Sequence, residues 1–256
     1  ASDTGPVELR GLAMENPIYI SLSRMMSLHN KMDAVANNVA NSTSTGYKQQ
    51  KVLFSEVLKK TSMTEKVSLV HDRAMVRDMS EGPLQTTSNP LDVAIRGQGF
   101  FVVDTVNGPH YTRAGRFQLN NNSQIVDDNG LPVLDSGNRP ITVPPKTVDI
   151  KISADGSVFS NVNPTAPVGK IALVSFKNER QLTEIGSGLF ITDQKPEAAP
   201  KESRVIQGAI EESNVKPVAE ITNMIDILRQ YQGIQKVIDA EHDRQKTMIQ
   251  KLGRTA

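Results

Sequence analysis

The side chains that could do chemistry in this chain are few and scattered. His29, His71, His110 and His242 stand apart, and none shows the H-x-x-x-H type of spacing that places two ligands on one helix face. There is no cysteine, which removes thiolate metal sites, disulfides and a thiol nucleophile while leaving the redox compartment open. Asp127 and Asp128 are adjacent carboxylates, but they sit beside a turn glycine, Gly130. There an Asp bonds local backbone more readily than it serves as an acid or base. Gly97-Gln98-Gly99 opens like a dinucleotide loop, yet Phe100 and Phe101 follow, with no third glycine at the required spacing and no helix pattern. The two glycines read instead as a tight turn into a strand anchored by two aromatics. Neither a G-x-S-x-G motif nor a phosphate loop occurs. The expectation is a protein with no catalytic, metal-binding or cofactor-binding residues, and so no enzyme.

The elements that would carry any function must therefore be read from pattern. Of 256 residues, 38% are hydrophobic, enough for a real core. The net charge of +1 comes from 29 basic and 28 acidic residues spread along the chain, which leaves no electrostatic footprint for nucleic acid or anionic lipid. No run approaches the ~18 apolar residues of a membrane span, so direct membrane insertion is not expected. The N-terminus lacks a basic segment followed by an apolar core, so no cleaved signal peptide is expected. Residues 1–13 show no period and read as an upstream extension or expression remnant before Met14.

A helix pattern stands at each end. From Pro17, suited to a first helical turn, apolar residues fall at Ile18, Leu22, Met25, Met32 and Val39, with His29 and Ala36 completing a heptad-like seam. After Pro217 come Ile221, Met224, Ile225, Leu228, Tyr231, Ile234, Val237 and Ile238. On a helical wheel the C-terminal apolar residues spread over roughly 240°, wider than the ~100° stripe that faces one core. One partner helix cannot cover that arc, and the sequence offers only one other long helix. Burial by other subunits is the expectation, with Leu22, Met25, Met32, Val39, Ile221, Ile225, Leu228, Tyr231 and Ile238 at the assembly interface.

Between the ends the period changes to alternation. Residues 99–135 hold short strand-like pieces separated by Asn107-Gly108, Asn120 to Asn122, Asn129-Gly130 and Ser136-Gly137, which accept the positive φ that hairpin turns demand. The strand-and-turn rhythm continues through residues 148–152 and 170–176. The fold class expected is α+β: long terminal helices forming a coiled-coil-like domain, with a mainly β domain inserted between them. The expected divisions are 14–50 with 207–256 as the helical domain, 51–85 as an extended connector and 86–206 as the β-rich domain. At the first helix exit, "ANNVANSTSTGYK" (36–48) puts Asn37, Asn38 and Asn41 where helix-end backbone groups need partners, and Gly46 where the chain needs a left-handed turn.

Four segments carry a resemblance: "MDAVANNVANSTSTGYK" (32–48), "GPLQTTSNPLDVAIRGQGFFVV" (82–103), "YTRAGRFQLNNNSQIVDDNGLPVL" (111–134) and "QGAIEESNVKPVAEITNMIDILRQYQGIQKVI" (207–238). In this order, over most of residues 14–256, they resemble the flagellar basal-body rod and hook family. The resemblance implies an axial structural protein of the proximal rod, with the distal rod as the alternative, transmitting torque from motor to hook. It implies neighbours among the other rod proteins, passage through the flagellar type III export apparatus without a cleaved signal, and a place in the basal body spanning the periplasm. It also implies that the helices line the inside of a tube, with the β domain outward and Asn37, Asn38 and Asn41 at an assembly joint. A reading from another class is a glycan-binding β module that oligomerises through its helices. An aromatic content of 4% with no Trp is poor material for sugar stacking.

Overall fold

The computed structural model describes residues 9–60, 66–145, 147, 149–162 and 164–252. In chain order come α1 (Leu9–Ala40), β1 (Gln50–Lys60), β2 (Lys66–Arg77), β3 (Leu84–Thr86), β4 (Val93–Arg96), β5 (Phe100–Thr105), β6 (Gly108–Thr112), β7 (Gln118–Leu119) and β8 (Ile125–Val126). They are followed by β9 (Ile150–Ile152), β10 (Ser157–Ser160), β11 (Gly169–Lys170), β12 (Leu173–Ser175), β13 (Thr183–Gly186) and β14 (Leu189–Ile191). The last are β15 (Glu197–Ala198), β16 (Arg204–Gln207), β17 (Ala209–Glu211) and α2 (Pro217–Leu252). The class is the expected α+β, with terminal helices flanking a β region.

The chain divides into two units: residues 1–39, 50–76 and 217–256 make the first, and 40–49 with 77–216 the second. The division departs from the expected boundaries, because residues 40–49 and 207–216 hydrogen-bond into the β-rich unit.

In the first unit α1 begins at Leu9, upstream of the expected start at Pro17. Leu9, Arg10, Leu12, Ala13, Met14 and Glu15 are good helix formers and extend the helix despite lacking a period. Residues 1–8 of the expected extension lie outside the described residues. α2 runs for 36 residues with Pro217 first, where its missing N–H costs nothing. The two helices meet along a seam of Leu28, Val35 and Ile227, with Met32, Val39, Met224, Tyr231 and Ile234 packed around it. The expected register is corrected here: His29 and Ala36 are exposed, and Leu28 and Val35 take the inward places. Both series obey three-four spacing, and the one supplying two branched apolar side chains buries more surface. The expected connector contains β1 and β2, paired as a two-stranded ribbon. Strands of 11 and 12 residues make it about 36–40 Å long at ~3.3 Å per residue.

The second unit is built on a six-stranded sheet in the order β13-β14-β6-β5-β12-β15, whose recorded pairings are antiparallel. Its inner strand β5 is covered on both faces. Phe101 and Val103 enter one core with Phe117, Val133, Ile171 and others, while Phe100 and Val102 enter a second with Tyr111, Phe176 and Phe190. Edge-to-face ring contacts lock each side, Phe101 on Phe117 at 5.1 Å and Tyr111 on Phe176 at 4.7 Å. This explains why the run Phe100 to Val103 is continuously apolar although the strand is antiparallel. Of the smaller sheets, β9-β10-β11 joins neighbours in sequence, while β4-β16 and β3-β17 bring the C-terminal side of the β region back beside its start. The Gly97 and Gly99 turn holds, with φ of +99° and +145°.

Candidate assembly interface

The sequence-chosen apolar residues fall into two groups. Met32, Val39 and Tyr231 pack into the seam between α1 and α2, and Met25 and Ile238 are half-buried. Ile221, Ile225 and Leu228 remain outside it, exposed at 47%, 46% and 45%, and Leu22 on α1 is similarly open. With Val218 they form a second three-four-three stripe on α2. The helix thus satisfies one stripe inside its own unit and carries another unsatisfied, which accounts for the wide apolar arc read from the sequence. No helix among the described residues is long and apolar enough to cross a membrane.

The asparagines have separate jobs. Asn38 is buried, and its carboxamide grips the first residue of β1 at both polar atoms: Gln50 N–H donates to Oδ1 at 2.8 Å, and Nδ2 donates to Gln50 O at 2.9 Å. Nδ2 also donates to Glu220 Oε2 in the first turn of α2, at 3.1 Å. One side chain therefore joins α1, the ribbon root and α2, an intramolecular role that leaves Asn38 no surface to offer a neighbour. Asn41 shapes the turn, its Oδ1 accepting from Ser44 Oγ at 3.2 Å and its carbonyl from Ser44 N–H at 3.1 Å. Asn37 is exposed on α1.

The second unit contains a network that the sequence reading did not single out. The Glu211 side chain is 1% exposed and accepts from Lys48 Nζ at 2.6 Å, Gly82 N–H at 2.9 Å and Arg113 Nη1 at 3.3 Å. Its carbonyl accepts from Gly46 N–H at 2.7 Å. Lys48, itself 1% exposed, also donates to Ser80 O at 2.7 Å, and burial holds its ammonium below the ordinary lysine pKa against the opposing pull of Glu211. Arg113 donates to Gly97 O at 2.9 Å and lies over the Phe100 ring at 5.4 Å. Arg77 donates to Lys48 O at 2.9 Å, pairs with Glu184 on β13 and lies over the Tyr47 ring. Asn214 accepts from Gln49 N–H at 2.7 Å and donates to Asp78 O at 2.8 Å. Each of the four resembling segments supplies a member: Gly46 and Lys48, Gly82 and Gly97, Arg113, then Glu211 and Asn214.

Two glycines permit this convergence. Gly46 has φ +68°, and a Cβ there would lie 2.5 Å from Ala114 N. A Cβ on Gly115 would lie 1.6 Å from Val93 O, and the close approach lets Val93 N–H donate to Gly115 O at 2.8 Å. The signal in the sequence was the charged residues embedded between glycines and apolar strand residues, in "GYK", "TRAG" and "GAIE". Asp127, considered above for acid-base chemistry, has its carboxylate engaged by Asn129 N–H at 2.9 Å and Leu131 N–H at 2.8 Å, as a turn requires. His29 lies 3.7 Å from Asp33 on the exposed face of α1.

Comparison with known proteins places these segments. The model of flagella basal body rod proteins matches residues 18–48, that of the flagellar hook protein FlgE/F/G D1 domain matches 94–160, and that of the flagellar basal body rod FlgEFG protein C-terminal region matches 206–251. Flagellar basal-body rod protein FlgF of Caulobacter vibrioides is 34% identical over 247 residues, spanning 94% of this chain and 99% of its own length. FlgF of Mesorhizobium japonicum is 33% identical over 242 residues with the same coverage. FlgG of Bacillus subtilis is 29% identical over 249 residues, covering 88% of this chain and 94% of its own. With the two FlgF relatives matched over 94% of its length and the three family segments in order, the chain belongs to the flagellar basal-body rod protein family.

Proposed function

We propose that this chain is a building block of the proximal rod, joining its neighbours through the outward stripe Val218, Ile221, Ile225 and Leu228 of α2 together with Leu22 of α1. The observation that carries this reading is the second, unsatisfied apolar stripe on a helix whose first stripe is already packed. Met25 and Ile238, half-buried at the seam margins, and exposed Asn37 extend the same contact surface. The role is structural: stiffly packed subunits transmit torque from motor to hook. Partners are the other proximal-rod proteins and the distal-rod protein, and the chain reaches its place across the periplasm through the flagellar export apparatus.

A Leu side chain fully buried on assembly contributes ~1.5–3 kcal/mol per subunit. Leu228→Asp replaces that gain with a desolvation cost, and is expected to abolish motility and rod incorporation while leaving the second unit folded. A Leu228→Asp chain that still assembles and swims overturns the assignment of the stripe. Proximal placement is tested by deleting the gene and imaging basal bodies: a structure truncated before the distal rod is expected, and an intact rod and hook refutes it.

A further inference from the structure

The sequence contains two Asn-Gly dipeptides in the β region, and the structure treats them differently. Asn107 lies in the two-residue loop between β5 and β6, next to Val106, which is fully exposed at 102%. The main chain around it is pinned. Asn107 N–H donates to Thr105 Oγ1 at 3.2 Å, the same hydroxyl donates to Gly108 O at 2.7 Å, and His110 Nδ1 braces both oxygens at 2.9 Å. Among the described residues nothing holds the Asn107 carboxamide, and a Cβ on Gly108 would meet no atom within 4 Å. The side chain is open to solvent, while the Gly108 main chain pairs with Thr105 at the end of the β5–β6 ladder.

Asn129-Gly130 is held at every relevant atom. Asn129 Nδ2 donates to Asp127 Oδ2 at 3.1 Å, and Asn129 N–H donates to Asp127 Oδ1 at 2.9 Å. Gly130 N–H donates to Asp127 O at 2.9 Å. Asp127 and Asp128 also place two carboxylates immediately upstream, where they oppose any developing negative charge on the Gly130 nitrogen.

We propose that Asn107-Gly108 is a self-modifying site, converting in water to an aspartyl or isoaspartyl linkage, and that Asn129-Gly130 is protected by the fold. The Gly108 amide nitrogen, giving its proton to solvent base, attacks Asn107 Cγ; the new C–N bond closes a five-membered imide as the carboxamide nitrogen leaves as ammonia. Water then adds to either imide carbonyl and reopens the ring. The net change is amide plus water to carboxylate plus ammonium, with no redox step and a new negative charge at the loop beside Val106.

The test is to age the folded protein at mildly alkaline pH and map its peptides by mass spectrometry with separation of aspartyl from isoaspartyl products. Conversion at Asn107 is expected to outpace that at Asn129 by about tenfold, the factor that one charge-assisted hydrogen bond supplies. Ageing in denaturant is expected to bring the two rates together, because the difference resides in the fold. An acidic shift on ion exchange is expected to vanish in Asn107→Ala. Equal rates in the folded protein, faster conversion at Asn129, or a ratio unchanged by denaturant overturns the proposal.

Discussion

Replacing Glu211 by Gln keeps the shape of the buried node and removes the carboxylate that contacts both Lys48 and Arg113. Lys48 and Arg113 then remain buried with like charge and without that carboxylate, and the bonds they donate lose their ionic acceptor. Removing one partner of a buried ion pair costs about 3–5 kcal/mol, because the remaining charge is left uncompensated in a low-dielectric interior. Each kcal/mol moves the melting temperature of a domain of this size by about 2–4 °C, so a fall on the order of 10 °C is expected. Circular dichroism melts and urea titrations of the full chain would measure it. Because burial already holds Lys48 below the ordinary lysine pKa, raising the pH lets it shed its charge and is expected to narrow the Glu211→Gln deficit. Replacing all three members together, Lys48→Met, Arg113→Met and Glu211→Leu, should recover most of the loss, since an apolar core of similar volume needs no counter-charge. A loss below about 1 kcal/mol for the single variant, or a triple variant no better than the single, refutes the account of the node as mutually compensating charges.

Asn38→Ala removes the grip on both polar atoms of Gln50 and the bond to Glu220, and is expected to cost about 1–3 kcal/mol and to speed hydrogen exchange at Gln50. Unchanged exchange there would mean that the ribbon root is held by other means. Glu184 titrates above the ordinary glutamate range because burial outweighs Arg77 beside it. Its contribution is therefore fully present below the unfolded value near ~4.3 and lost as pH rises through the folded value. Wild type should accordingly lose stability relative to Glu184→Gln across that window, and parallel pH profiles would count against it.

The terminal helices, the β middle and the turns at Gly97, Asn107 and Asn129 were legible because each rests on local pattern: three-four spacing, alternation, or a residue that tolerates positive φ. The seam register was not, because two interleaved series both obey the spacing and only the partner helix decides between Leu28 with Val35 and His29 with Ala36. The outward stripe of α2 was visible as excess apolar arc, but its separation from the seam needed the packing. The Glu211 node was the least legible. A Lys, an Arg and a Glu far apart in sequence read by default as solvated surface, and no local rule links Lys48 to a residue 163 positions away. Asn38 was expected at an assembly joint, whereas its carboxamide joins α1 to the ribbon root and α2 within one chain.

The node also sets a schedule for folding. Glu211 reaches Lys48 across 163 positions, Gly82 across 129 and Arg113 across 98, whereas the hairpin of β5 and β6 closes over two residues. Closure entropy grows with loop length, and contacts of long sequence separation slow folding. By that ordering the hairpins are expected to form early and the ionic node to close last. Until residue 211 is free to enter, the second unit must house two cations without the carboxylate that contacts both, so an incomplete chain gains less by closing.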